Sequence, residues 1–309
     1  MTLSGDNRGR DTAAKQQIAR VFPRRTRATP TDNLAFYDEP GLFPIDADEV
    51  HVSVTFTYDL PRAEFLAKAW ERIAPVRIGG PATGMPGGEF MPGLYLKPGY
   101  VITSRGCPNR CWFCSAWRRE GDTRELPVAD GWNVLDDNLL ACSEQHIRSV
   151  FAMLKRQPRR AEFTGGLEAA RLQPWHVELL RELRPKQMFF AYDAEDDYEL
   201  LVEAGRALIG AGFTVQSHVL RCYVLIGYPD DTFEAAERRL QQADAAGFLP
   251  MAMLWRDNDG KRDLQWARFQ RQWARPTLVA SGLRHEPTVI AGETGHVPQC
   301  CLIGGDENG

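Results

Sequence analysis

Three cysteines stand within eight positions, Cys107, Cys111 and Cys114, in the segment SRGCPNRCWFCSAWR. Their spacing is C-x3-C-x2-C. A tight loop brings three such thiolates to one point, and soft thiolates suit zinc or iron–sulfur clusters. Structural zinc normally takes four protein ligands. Cys142 is 28 residues past Cys114, beyond an expected strand, and no histidine lies near the loop in sequence. A distant histidine as fourth ligand keeps zinc open. Three ligands also fit a four-iron cluster with one iron left open, whereas clusters that only transfer electrons are held at every iron by protein. Cys222 is isolated, and Cys300 with Cys301 offers too few ligands for a second cluster.

The elements that must position this loop come next. The chain of 309 residues is long enough for one large domain or two modest ones. Its 43% apolar and 25% charged residues are ordinary for a globular protein and argue against long disorder or a disulfide-dense scaffold. The net charge of −4 gives no global basic field for nucleic acid. No apolar run reaches the ~18 residues of a membrane helix. Residues 1–17 are polar and read as a flexible tail, not a signal peptide. A cytoplasmic, reducing compartment is expected, in which clustered thiols bind metals sooner than they form disulfides.

Residues 18–94 read as a small α/β, Rossmann-like region. Strands are expected at residues 18–22, 51–57 and 76–78, with a helix opening near Pro61 and burying Phe65, Leu66, Ala69 and Ile73. From about residue 95 to 257, apolar runs at 100–103, 132–135, 162–164, 188–192, 222–226 and 251–254 alternate with helical patterns. Ser143 is a plausible N-cap, and Asp231 with Glu234 resembles a capping pair. Six such units predict an α/β fold with a partial (β/α)6 barrel, whose functional groups lie at the C-terminal strand ends. Residues 258–309 read as a helical extension and tail.

The cysteine spacing, the aromatic Phe113 before the last cysteine and the strand before the loop together resemble the radical S-adenosylmethionine (radical SAM) superfamily. The resemblance covers residues 95–257. It implies a 4Fe-4S cluster on Cys107, Cys111 and Cys114, with S-adenosylmethionine on the open iron. It further implies reductive cleavage of the sulfonium to a 5′-deoxyadenosyl radical that abstracts hydrogen from a substrate. The cofactors carry that chemistry, and the protein positions and protects it. A reductant such as flavodoxin or ferredoxin is the implied electron source.

Further site residues follow from the same resemblance. Asp136, Asp137 and Asn138 close the second strand, where members allied to the cobalamin-binding branch carry an acidic pair with Asn to meet the ammonium of S-adenosylmethionine. A helix cap is the other reading. Gly165-Gly166-Leu167-Glu168 looks like the family's Gly-Gly-Glu but comes one unit late, with an extra Leu; Glu168 either faces the site or closes a solvated turn. Asp193 ends the fourth strand at the level of ribose contacts. Ile226 lies in a segment like the one that meets adenine. No histidine sits in an Asp-x-His-x-x-Gly loop, so no cobalamin is expected, and His51 reads as structural. Arg221 and Arg256 lie near strand ends and are candidate anion ligands. The runs Arg24, Arg25, Arg27 and Lys155, Arg156, Arg159, Arg160 read first as solvated faces.

The substrate stays open among small molecule, peptide and nucleotide, and no membrane partner is expected. The competing classes are a zinc-stabilised nucleic-acid-binding module and a degenerate protein that binds a cluster without turnover.

Overall fold

A computed structural model describes residues 16–257 and 259–273. Most of the expected tail at residues 1–17, the end of the expected extension, and Cys300 and Cys301 lie outside the described residues.

The first sheet is wholly parallel. It holds β1 (Ile18–Val21), β2 (Ala35–Phe36), β3 (Glu49–Ser53) and β4 (Val76–Gly79), in the order β2-β1-β3-β4. Helix α1 (Leu60–Trp70) joins β3 to β4 and carries Pro61 in its first turn. That placement is favourable because the missing N–H has no helical partner there. The buried face of α1 is Ala63, Leu66, Ala67 and Trp70. Phe65, expected inside, is 50% exposed, and Ile73 lies beyond the helix. Trp70 decides the rotation: its bulk fills the core and its indole N–H donates to the Asp38 carbonyl at 3.0 Å. The expected strand at 51–57 stops at Ser53, and Thr57–Asp59 forms a 3-10 turn.

The second sheet has six strands, all parallel, in chain order from one edge to the other. They are separated by helices as the periodicity predicts. In chain order after β5 (Tyr100–Val101) come β6 (Ser104–Arg105), α2 (Ala116–Glu120) and β7 (Arg124–Glu125). Then come β8 (Asn133–Val134), α3 (Glu144–Lys155), β9 (Glu162–Leu167), α4 (Pro174–Leu183) and β10 (Gln187–Ala191). The series closes with α5 (Tyr198–Gly210), β11 (Leu220–Ile226), α6 (Phe233–Ala245), β12 (Leu249–Leu254) and α7 (Leu264–Trp273). The large sheet is β5-β8-β9-β10-β11-β12, and its inner strands give Phe163, Met188, Phe190, Val224 and Ile226 to the core.

Two caps show how local chemistry sets the helix starts. Ser143 caps α3, its hydroxyl accepting from the His146 N–H, as expected. On α6 the cap is Thr232, whose hydroxyl accepts from the Ala235 N–H. Asp231, expected to cap, is buried and bound elsewhere, as described below.

Candidate functional site

The cysteine loop is an excursion between two paired strands. β6 and β7 form an antiparallel ribbon, and residues 106–123 leave and return through it. Gly106 starts the excursion at φ +82°, and a Cβ there would lie 2.4 Å from the Asp122 carbonyl oxygen, so only glycine fits. The Cys107 N–H donates to the Gly121 carbonyl at 3.1 Å and closes the loop. Beneath it the Glu120 carboxylate is 1% exposed. It accepts from the Gly87 N–H at 3.0 Å and from Arg119 Nε at 2.9 Å, with Arg105 and Arg124 within 4 Å. Burying that carboxylate is tolerable because it is surrounded by cations and donors.

Within the loop, the Cys114 N–H donates to the Cys111 carbonyl at 3.2 Å, and the Trp117 indole donates to the same oxygen at 2.9 Å. Arg110 and Arg118 stack their guanidiniums 5.2 and 4.9 Å from the Trp117 ring centre. Trp117 therefore packs the loop from within. Trp112, 53% exposed, reaches across the sheet ends and meets the ring of Tyr228, just past β11, edge-on at 5.5 Å. Phe113 packs against Trp112 at 90°.

All three thiols are half-buried and unpaired. Burial pushes Cys111 up, with Cys114, Cys107 and Asp193 adding to the rise. Burial also pushes Cys114 up, opposed by the Ala116 N–H and reinforced by Asp137 and Cys107. As the side chains stand, no group of three or more His, Cys, Asp or Glu among the described residues is arranged to hold a metal ion.

The residues that end β8 divide into three roles. Asp136 is 1% exposed, and its carboxylate accepts from the Thr103 N–H, the Thr103 hydroxyl and the Ser104 hydroxyl at 2.6, 2.5 and 2.7 Å. It ties β8 to the root of the cysteine loop and does not face a ligand. Burial raises its pKa, and the donors from Thr103 and Ser104 pull against that. Asp137 accepts from the Gly106 N–H at 2.8 Å and so fixes the start of the loop. Asn138 faces the cysteines: its Nδ2 donates to Cys107 Sγ at 3.4 Å and to Glu168 Oε2 at 2.6 Å. Its Oδ1 is buried and has no donor.

Glu168 reaches Asn138 because β9 is irregular. The β9–β10 register slips between Met188 and Phe190, opposite Gly165 and Gly166. Gly165 lies against the Asp136 backbone, where a Cβ would come within 2.3 Å of the carbonyl oxygen, and Gly166 has φ +107°. A bulge there re-aims the residues that follow. Glu168 also accepts from Arg171 Nε at 2.6 Å. Arg171 escaped the sequence reading, although its i,i+3 spacing from Glu168 is a readable signal.

Asp193 accepts from the Leu225 N–H at 2.9 Å and lies close enough to Cys111 to raise that thiol. Burial pushes its own carboxyl up to about 6, against the Leu225 N–H. Ile226 is fully buried in the core, and its carbonyl accepts from the Trp255 N–H at 2.9 Å. Its side chain does not line the site. The turn after it is held by an ion pair that sequence reasoning missed. Asp231 and Arg239, at 0% and 2% side-chain exposure, meet at 2.9 Å; Asp231 takes the Gly227 N–H, and Arg239 donates to the Leu225 carbonyl. Direct contacts thus join Cys107, Asn138 and Glu168, Asp137 fixes the start of the cysteine loop, and Asp136 and Ile226 sit in the framework.

Other candidates separate cleanly. Arg221 lies near the N-terminal end of β11, opposite the cysteine loop, and its Nε donates to the His218 carbonyl. Arg256 follows the C-terminal end of β12. In the second basic run, Lys155 pairs with Glu182, Arg159 stacks on Trp132, and Arg156 and Arg160 donate to carbonyls. His51 bridges Tyr95 and Glu49 within the first sheet. No helix among the described residues is long and apolar enough to cross a membrane. A scan against protein-family models finds no match, and a search of curated proteins finds no relative.

Proposed function

We propose that the chain is a radical S-adenosylmethionine enzyme and that its six-stranded sheet curves as a partial barrel around the site. The observation that carries the reading is the buried, donorless Oδ1 of Asn138 beside Cys107 and Glu168. An acceptor left without a donor costs about 1–3 kcal/mol unless a ligand supplies one. The ammonium of a bound S-adenosylmethionine would supply it. The residue types suit a 4Fe-4S cluster with one iron open: three thiols come from one loop, and that loop has no fourth cysteine.

When bound, the cluster and S-adenosylmethionine supply reductive cleavage of the sulfonium and a carbon radical that takes hydrogen from a substrate. The protein's own residues do the rest. Cys107, Cys111 and Cys114 hold the metal. Asn138 and Glu168 orient the ammonium, Asp193 takes hydroxyl donors of the ribose, and Trp112 with Tyr228 closes the pocket against water. Flavodoxin or ferredoxin in the cytoplasm is the electron source in this reading.

The test is anaerobic purification, reconstitution with iron and sulfide, and addition of S-adenosylmethionine with a strong reductant. The expected result is a brown protein that forms 5′-deoxyadenosine, with a variant carrying Ala at Cys107, Cys111 and Cys114 forming none. A colourless protein that holds zinc and takes up no iron overturns the reading in favour of a zinc-stabilised module. A cluster without product at saturating reductant places the chain among degenerate relatives.

A further inference from the structure

The first sheet has the strand order β2-β1-β3-β4, so its direction of growth reverses between β1 and β3. In open parallel sheets such a reversal opens a crevice outside the C-terminal strand ends, and ligands bind there. Arg24 follows β1, and Phe56 and Tyr58 follow β3. Asp59 takes Arg24 in a two-point ion pair at 2.8 and 2.6 Å, and the Arg24 guanidinium stands 5.4 Å from the centre of the Tyr58 ring. Phe56 stacks on that ring at 5.2 Å and 6°.

The second sheet delivers another cation to the same ring. Arg256, two residues past β12, places its guanidinium 5.2 Å from the Tyr58 centre. The turn that follows is seated on Tyr58: Gly260 has φ +72°, and a Cβ there would lie 2.4 Å from the tyrosine side chain. Tyr58 is therefore where the mouths of the two parallel sheets meet. The neighbouring Asp257 carboxylate is turned to the Lys261 N–H at 2.8 Å. Among the described residues no carboxylate pairs with Arg256, whereas Arg24 is matched by Asp59.

Two guanidiniums on one ring repel, and among the described residues Asp59 pairs with Arg24 and not with Arg256. A planar guanidinium fork also matches the oxygens of phosphate or carboxylate. The position is close to the chemistry in strand terms. Leu254 of β12 pairs with Ile226 of β11, and Tyr228, two residues beyond Ile226, touches Trp112 of the cysteine loop.

We infer that Arg256, beside the Tyr58 ring and the Arg24–Asp59 pair, binds an oxyanion, a phosphate or a carboxylate, carried by the substrate. Calling the ligand a substrate rests on the enzyme reading above; the anion site itself does not. The oxyanion end lies at the seam between the sheets.

Calorimetric titration of the full chain without metal, at low salt, tests this with inorganic pyrophosphate and, separately, malonate. Saturable binding of one or both anions is expected. Arg256→Gln weakens it about tenfold, Arg256→Lys restores part of the loss, and Arg221→Gln, at the opposite strand ends, changes it by less than about twofold. Pyrophosphate alone binding assigns a phosphate, and malonate alone a carboxylate. No saturable binding, or equal losses in Arg256→Gln and Arg221→Gln, overturns the inference. No cluster is present in this experiment, so a failed 5′-deoxyadenosine assay and a failed titration are separate results.

Discussion

The amide of Asn138 commits its N–H group to Cys107 and Glu168 and leaves its carbonyl oxygen buried without a donor. If that oxygen receives the ammonium of S-adenosylmethionine, Asn138→Ala loses one charge-assisted hydrogen bond. The Kd for the cosubstrate is then expected to rise about tenfold, ~1.4 kcal/mol, while iron content per chain stays at the wild-type level. Equilibrium dialysis on the reconstituted protein reads both, and a variant that loses iron in step with affinity refutes the assignment. A second residue away from the cysteines makes a pH prediction. Burial pushes the His176 imidazole down to about 4, Arg148 adding to the fall, while the Arg171 carbonyl and Glu144 oppose it. Its Nδ1 accepts from the Gln173 N–H at 3.0 Å, so the neutral form is the one that caps α4. The unfolded imidazole titrates near 6.5, so the unfolded chain binds the extra proton first as pH falls. The stability His176 contributes is complete above about 6.5 and is lost as pH falls toward about 4. His176→Gln keeps an acceptor and removes the titration. Its urea midpoint should fall less than that of the wild type between pH 7.5 and 5.

At the scale of elements, the sequence marks what periodicity and spacing can mark. The apolar runs located the six strands of the large sheet, because short apolar runs stand out from the helical patterns between them. Ser143 at the start of α3 was legible from residue type alone. The ribbon of β6 and β7 was not, since two residues per strand carry no period. Asp231 was misread as a cap because its partner, Arg239, looks like a solvated helix charge until α6 lies on β11. The division of Asp136, Asp137 and Asn138 into framework and site was also hidden, because it depends on which way one extended turn faces. Glycines in α5 illustrate the same limit and permit a test. A Cβ at Gly205 would meet the Ala246 carbonyl oxygen at 2.0 Å, while one at Gly210 meets nothing within 4 Å. Alanine gains ~1 kcal/mol of helix propensity at either position. At Gly205 the forced separation of α5 from the end of α6 costs about 3 kcal/mol, so the clash wins. Gly205→Ala should lower the urea midpoint and Gly210→Ala should raise it slightly, and a shared sign for the two would contradict the packing.

At the scale of the whole molecule, the buried apolar residues fall into two clusters, one under each parallel sheet. The smaller includes Ala19, Val50, Leu66 and Trp70 around β1, β3 and α1; the larger spans the six-stranded sheet and its helices. Between them run a few polar ties. The Lys97 N–H donates to the Ala28 carbonyl at 2.8 Å, and the Arg256–Gly260 turn sits on Tyr58. A small core buries a lower share of its chain's surface than a large one and is the more marginal. The first cluster should therefore open at lower urea than the second. Trp70 is the one tryptophan of the chain's eight that belongs to the first cluster. The difference in emission between the wild type and Trp70→Phe isolates its signal. That signal should pass its midpoint before the far-ultraviolet circular dichroism, which is weighted to the helices around the larger sheet. An added anion that bridges Arg256 and the Tyr58 seam should bring the two midpoints together, because a ligand held by both units stabilises only the state in which both are folded. Coincident transitions without any anion would instead show that the polar ties already make the molecule one cooperative unit.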